Sequence, residues 1–357
     1  MLFCGISWGP VGYRAAGVDA AGEEIFARDF PPGPLDGLIA FLRAHAASAD
    51  DELCCVIDST NGTLDLHLLT AGLVVYRADP WLLPTRPVDG SVPATTLAKA
   101  AAHDPAAITR LALSSGTLGG RTDAPDHYLH IPARLPRHGT PGDRQPEYGA
   151  RQPRRVALTF DDGPCPPYTD RILDILRSYR VTASFFCIGL NAAGYPATVG
   201  RIAEEGHTLG NHTWSHPFLP DLGPDEFSFQ IEATATAIST ATGSRPRLVR
   251  PPYGAGRPEV LDWLTERDLT CVLWDNDSRD WAAPGAAAIT ERVTARLHDG
   301  PIVLLHDGGG DRSQTVAALP AIIERLLAGN YTFVGADAVH PGPAYRPETG
   351  GQGDGSD

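Results

Sequence analysis

The sequence predicts an α/β protein in two parts: a larger second half built on a parallel sheet closed as a barrel of about seven strands, and a smaller α/β domain ahead of it. Three observations carry this. From Val156 onward, strand-like and amphipathic helical stretches alternate. The first hundred residues instead run strand, strand, strand, helix, strand, helix, strand. Between them, from Leu118 to Arg155, periodicity fades into a stretch marked by Gly119, Gly120, Pro125, Pro132, Pro136, Pro141, Pro146 and Pro153.

In chain order, the first domain (1–117) offers strands at Leu2–Ser7, Gly12–Val18 and Glu24–Arg28, a helix at Leu35–His45, a strand at Glu52–Ile57, a second helix, and a strand at Leu73–Tyr76. This order resembles the ribonuclease-H-like fold of some transposases and actin-like proteins. Nucleases of that type place an aspartate on the first strand, where this chain has Ser7. Asp58 can match a second acidic position, but one carboxylate does not hold two metals in line. A non-catalytic domain is expected. Residues 118–153 read as a linker, 154–340 as the second domain, and 341–357, rich in Pro and Gly, as a disordered tail.

In the second domain the candidate strands are Val156–Phe160, Ala183–Ile188, Thr208–His212, Arg247–Pro251, Thr270–Asn276, Ile302–His306 and Tyr331–Val334. Helical stretches lie between them: Arg171–Tyr179, Phe227–Thr240, Glu259–Glu266, Ile289–Leu297 and Val316–Leu327. In such folds chemistry gathers at the C-terminal strand ends. Asp161, Asp162, His212, Arg250, Asp277 and His306 all lie at or just past such ends.

Bulk properties narrow the function. The 357 residues carry a formal net charge of −14, with 42% hydrophobic and 20% charged residues. That balance argues against broad electrostatic binding to nucleic acid or anionic membrane. No apolar run reaches the roughly 18 residues of a membrane span. Met1 to Gly22 lacks a secretory-signal pattern, and the six cysteines are scattered with no CxxC pair. A cytoplasmic protein with reduced thiols is expected.

The most informative run is Thr159-Phe160-Asp161-Asp162-Gly163-Pro164. Neighbours in a strand point to opposite faces, but at a strand end entering a turn both carboxylates can reach one cleft. A metal ion on one of them relieves their repulsion. His212 and His216, in His-Thr-Trp-Ser-His, can share one face of a helix or turn and bind one ion. Alone such a pair is also common as structure. With Asp162 it supplies two imidazoles, one carboxylate and an open position, the composition of a catalytic zinc site. Arg250-Pro251-Pro252-Tyr253-Gly254 is a stiff loop suited to presenting a main-chain N–H to an oxyanion, and equally readable as a proline turn. Arg250 can pair with Asp161 and orient it. Asp277-Ser278-Arg279-Asp280-Trp281 adds carboxylates and an aromatic wall. His306 ends a buried strand and alone reads more readily as a satisfied core residue; Asp280 nearby would make it a proton donor.

Together these five blocks, TFDDGP, HTWSH, RPPYG, DSRDW and LLHD, resemble in order the polysaccharide deacetylase family, carbohydrate esterase family four with NodB homology. The resemblance covers about Arg154 to Val334 and implies a distorted (β/α) barrel of seven or eight strands. It implies a divalent metal, zinc or cobalt, on Asp162, His212 and His216. It makes Asp161 the catalytic base, Arg250 its orienting partner, His306 the catalytic acid and Asp280 the group that tunes it. Tyr253 would hold the oxyanion through its main-chain N–H, and Trp281 and Leu304 would wall the acyl-methyl pocket. The expected reaction is removal of N-acetyl groups from an amino sugar or chitooligosaccharide-like substrate. Two alternatives stay open: deacylation of a small N-acylated metabolite, and nucleic-acid or nucleotide binding through the first domain.

Overall fold

The computed structural model describes residues 1–48, 52–58, 62–78, 83, 87–114, 117–119, 154–256, 258–295 and 297–339. Of the expected linker 118–153 only Leu118 and Gly119 fall among them, and the expected tail 341–357 lies outside. No described helix is long and apolar enough to cross a membrane.

The first part is a six-stranded sheet in the order β3-β2-β1-β4-β5-β6. Strands β1 (Leu2–Gly9), β2 (Gly12–Val18) and β3 (Glu24–Phe30) form an antiparallel meander. After α1 (Asp36–Ser48), β4 (Leu53–Ile57) joins β1 in parallel. After α2 (Gly62–Thr70), β5 (Val74–Ala78) joins β4 in parallel. The connectivity is the one predicted; α3 (Ala94–His103) and the edge strand β6 (Ile108–Arg110) extend it. A separate hairpin pairs β7 (Ala112–Ser114) with β8 (Thr117–Gly119). Asp58 accepts a hydrogen bond from the Val92 N–H at 2.8 Å, a structural task for the one acidic residue weighed there as a ligand.

The second part is an all-parallel sheet. Along the chain come β9 (Arg154–Asp161), α4 (Tyr168–Tyr179), β10 (Ser184–Cys187), α5 (Gly189–Gly194), α6 (Pro196–Glu204), β11 (Thr208–Asn211), α7 (Pro224–Thr242) and β12 (Leu248–Val249). Then follow α8 (Pro258–Glu266), β13 (Thr270–Cys271), β14 (Asn276–Asp277), α9 (Ala286–Ala295), β15 (Ile302–His306), α10 (Ser313–Ala328), β16 (Tyr331–Phe333) and α11 (Ala336–Val339). The path of strands is β13-β12-β11-β10-β9-β15-β14, with β16 on the start of β9.

The barrel does not close. The strand expected at Thr270–Asn276 is broken in two, and its halves lie at opposite ends of the path. Arg250 explains the break. Its buried guanidinium bonds the carbonyls of Val272 (3.1 Å) and Leu273 (3.5 Å), which a closing strand would otherwise use.

Period-two alternation sorts each strand's side chains. Val156, Leu158 and Phe160 of β9, with Val303 and Leu305 of β15, pack outward against the helices around Leu173, Leu176, Leu319 and Ile323. Ala157 and Ile302 face the other way and pack with Phe186, Leu248 and Val272. By the same alternation Thr159, Asp161, Leu304 and His306 fall on the inward face. Burying a side chain such as Phe160 contributes about 1.5–3 kcal/mol, so the sheet's register, and with it the direction of Asp161, is firmly held.

Candidate active site

Asp161 and His306 are register partners at the ends of neighbouring strands β9 and β15. Both are held by a second side chain. Arg250, wholly buried, donates from Nη1 to Asp161 Oδ1 at 2.7 Å and to Thr159 Oγ1 at 2.8 Å. Its guanidinium lies 4.1 Å from the Phe186 ring centroid and 5.5 Å from that of Trp274. His306 Nδ1 lies 2.7 Å from Asp280 Oδ1. The other oxygen, Asp280 Oδ2, accepts from the His306 main-chain N–H and from Thr315 Oγ1, both at 2.8 Å. Burial acts to lower the His306 pKa, but Asp280 outweighs it and the imidazole is raised above its ordinary value. Burial would raise the Asp280 carboxyl, yet its contact with His306 holds it below the ordinary range.

Asp162 turns away from the strand with φ 73°, which lets the second carboxylate share the cleft with the first. Gly309 crowds it from behind: a Cβ there would stand 2.5 Å from Asp162 Oδ2. Asp162 Oδ1 is 3.5 Å from His212 Nε2 and 3.3 Å from His216 Nε2. The two histidines sit on a loop after β11, not on a helix, with φ 69° at Thr213 and 61° at His216. His212 Nδ1 is 2.6 Å from the Arg250 carbonyl oxygen, which fixes the tautomer and leaves Nε2 for the cleft.

These three residues form a group able to hold a metal ion, their ligand atoms all within 4.8 Å of one another. Two details test the fit. Asp162 Oδ1 is buried with no hydrogen-bond partner, a costly arrangement for a carboxylate unless a cation satisfies it. An ion with bonds of about 2.1 Å sets its ligand atoms roughly 3.4 Å apart, close to the 3.5 and 3.3 Å from Asp162 Oδ1 to the two imidazoles. Burial pulls the His216 imidazole down to about 4, which favours the neutral form that a ligand requires. Burial works to raise the Asp162 carboxyl, but the imidazoles of His216, His212 and His306 hold it well below the usual range.

Tyr253 lies in the Pro252–Gly254 turn with φ 62°, and its ring packs edge-on against His216 with centroids 4.7 Å apart. Leu304 shares the inward face of β15 with His306 and is buried. Trp281 is placed by the chain, next to Asp280 in the Asp280–Ala282 turn, and is 38% exposed.

Several residues escaped sequence reasoning. Gln230 on α7 accepts at Oε1 from the Trp214 and Ser215 N–H groups, pinning the loop between the histidines. Asn211 accepts from the Thr213 N–H at 2.8 Å. Asp307 is buried behind Asp161; Thr169 Oγ1 donates to its Oδ2 at 2.6 Å. Burial first, then the charges of Asp162 and Asp161, push its carboxyl up to about 7. The signal for Gln230 was weak: with Thr234, it is a polar residue on the buried side of an amphipathic helix.

A carboxylate and an imidazole, each held by its own partner beside a cation-ready triad, can together carry out hydrolysis. Comparison with known proteins makes this specific. Residues 148–272 match the family model for polysaccharide deacetylase. A peptidoglycan-N-acetylglucosamine deacetylase of Bacillus cereus is 42% identical over 180 residues, half of this chain, and the chain spans 66% of that relative. A chitooligosaccharide deacetylase of Bradyrhizobium sp. is 40% identical over 202 residues, covering 53% of this chain and 90% of the relative. The solved structure of the peptidoglycan N-acetylglucosamine deacetylase Bc1960, bound to 4-naphthalen-1-yl-N-oxidanyl-benzamide, is similar with a TM-score of 0.52 and 39% identity. It covers 54% of this chain and 90% of its own. The chain belongs to the polysaccharide deacetylase family.

Proposed function

We propose that this protein hydrolyses the N-acetyl group of an amino sugar in a chitooligosaccharide-like substrate, with a divalent cation, zinc or alternatively cobalt, on Asp162, His212 and His216. The observation that carries the reading is the convergence of the Arg250–Asp161 and Asp280–His306 pairs beside that triad. The names of the related deacetylases support the substrate class.

The cation would polarise the amide carbonyl and acidify a water. Asp161, its Oδ1 taken by Arg250, accepts the proton of the attacking water through Oδ2. The main-chain N–H of Tyr253 donates to the oxyanion as it develops. His306, its Nδ1 held by Asp280, delivers a proton from Nε2 to the departing amine. The amide C–N bond breaks, a C–O bond forms, and acetate and the free amine leave. Trp281 and Leu304 wall the acyl methyl. The proposed setting is the cytoplasm, in keeping with six free thiols.

The decisive assay is acetate release from N-acetylated chitooligosaccharides with added zinc or cobalt, run beside a chelated control, peptidoglycan fragments and small N-acylated metabolites. Release that chelator abolishes is expected. Release from the small metabolites alone would replace the proposed substrate, and chelator-insensitive release would remove the cation from the reaction.

A pH profile tests the acid. His306 must be protonated to act, and Asp280 is the group that raises its pKa against burial. Asp280→Asn is therefore expected to move the basic limb of kcat/KM to lower pH, because burial then prevails. An unmoved limb would assign that ionisation to another group.

A further inference from the structure

We propose that the N-terminal domain is a positioning element of the metal triad, acting through Trp214 and helix α5. This rests on the metal reading of Asp162, His212 and His216 given above.

Trp214 stands between the two histidines, and its side chain points away from them into the other domain. It is 4% exposed and belongs to the same apolar cluster as Ile6, Trp8 and Tyr13 of the first sheet. Its indole Nε1–H donates to the carbonyl of Gly9, the last residue of β1, at 3.3 Å. The N-terminal domain thus supplies the polar partner for a residue inside the ligand loop and shares its apolar socket with Gly189 and Phe229 of the second domain. That loop has positive φ at Thr213 and His216, a conformation that costs roughly 1–2 kcal/mol per residue and persists only where its surroundings enforce it.

Helix α5 makes the second connection. At its start, the Gly189 N–H donates to the Thr213 carbonyl (2.9 Å) and the Leu190 N–H to the Trp214 carbonyl (3.0 Å). Asn191 Nδ2 donates to the Asp162 carbonyl at 2.8 Å. Asp162 and the residue next to His212 are therefore on backbone that α5 holds, and His216 follows two residues after the held Trp214 carbonyl. Its far end meets the N-terminal domain: a Cβ on Gly194 would lie 2.0 Å from Gly33 Cα and 2.8 Å from the Pro32 carbonyl oxygen. Ile188 and Leu190 complete the contact in the shared cluster. A short helix gripped at one end by the first domain, and bonded at the other to the ligand loops, transmits the position of one to the other.

The Gly194 contact gives a clean test. Gly194 lies at the end of a helix without a positive φ, so alanine there is conformationally acceptable and disturbs the approach of Pro32 and Gly33. Full-length wild type, Gly194→Ala, Trp214→Phe and Trp214→Ala would be compared for zinc dissociation constant, by competition with a chromophoric chelator, and for thermal unfolding. Losing outer support of a metal ligand typically weakens affinity roughly 10–100-fold. Gly194→Ala and Trp214→Ala are expected in that range, with Trp214→Phe nearer wild type because the apolar plug is kept. A purely structural interface would lower the melting temperature and leave the zinc constant unchanged. Should Gly194→Ala not fold, Trp214→Phe set against Trp214→Ala decides alone. Wild-type zinc affinity in the folded variants would overturn the inference while leaving the metal site standing. A wild type that binds no zinc would overturn both.

Discussion

Asp161→Asn is expected to lower kcat about 10²–10⁴-fold, the usual contribution of a positioned general base, while zinc stoichiometry stays unchanged. The amide keeps an oxygen for the Arg250 Nη1 bond that the carboxylate accepts at 2.7 Å, so the geometry has reason to survive. What is lost is a second oxygen able to take a proton, the one 3.7 Å from His212 Nε2. Asp162 Oδ1 stands at 3.5 and 3.3 Å from the two imidazoles, so base and ligand are roles that the variant has to separate. Steady-state kinetics beside metal analysis tells the two apart. Turnover within a few-fold of wild type would remove Asp161 from the base role. Loss of zinc would instead move it into the coordination shell.

The residues of this site were legible because strand alternation and short motifs are local. In β9, the pattern that sends Val156, Leu158 and Phe160 into the helices also sends Asp161 inward, and the adjoining Gly-Pro turn allows Asp162 to follow. The same alternation places Leu304 beside His306. What could not be read depended on partners far along the chain. Thr270–Asn276 has the composition of one strand, but Arg250 binds its central carbonyls and splits it. Gln230 looks like one polar residue in α7 until its amide is seen to satisfy the Trp214 and Ser215 N–H groups. Helix α5, with sequence GLNAAG, is too short to show a period, and α6 begins on Pro196 just beyond it. The place of Trp214 within HTWSH gave no hint that its side chain serves the other domain.

Arg250→Met should be the most damaging single change to stability in the second domain. Breaking a buried ion pair by removing one partner costs about 3–5 kcal/mol, because the remaining charge stays buried and uncompensated. Asp161 would be that charge, 3% exposed. The loss is compounded at the broken strand, where the Val272 and Leu273 carbonyls would lose their donor and the rings of Phe186 and Trp274 their cation. For a domain of this size each kcal/mol moves the melting temperature by about 2–4 °C, so a fall of roughly 6–20 °C is expected. The double variant Arg250→Met/Asp161→Asn separates the two sources of cost. If the stranded carboxylate dominates, neutralising it recovers most of the stability, and the pair shows a large coupling in a double-mutant cycle. If the open carbonyls dominate, the double variant stays as unstable as Arg250→Met. A melting temperature within about 2 °C of wild type for Arg250→Met would contradict both, and with them the account of why this barrel stays open. Arg250 would then serve catalysis alone, since Asp161 would lose its anchor without loss of fold.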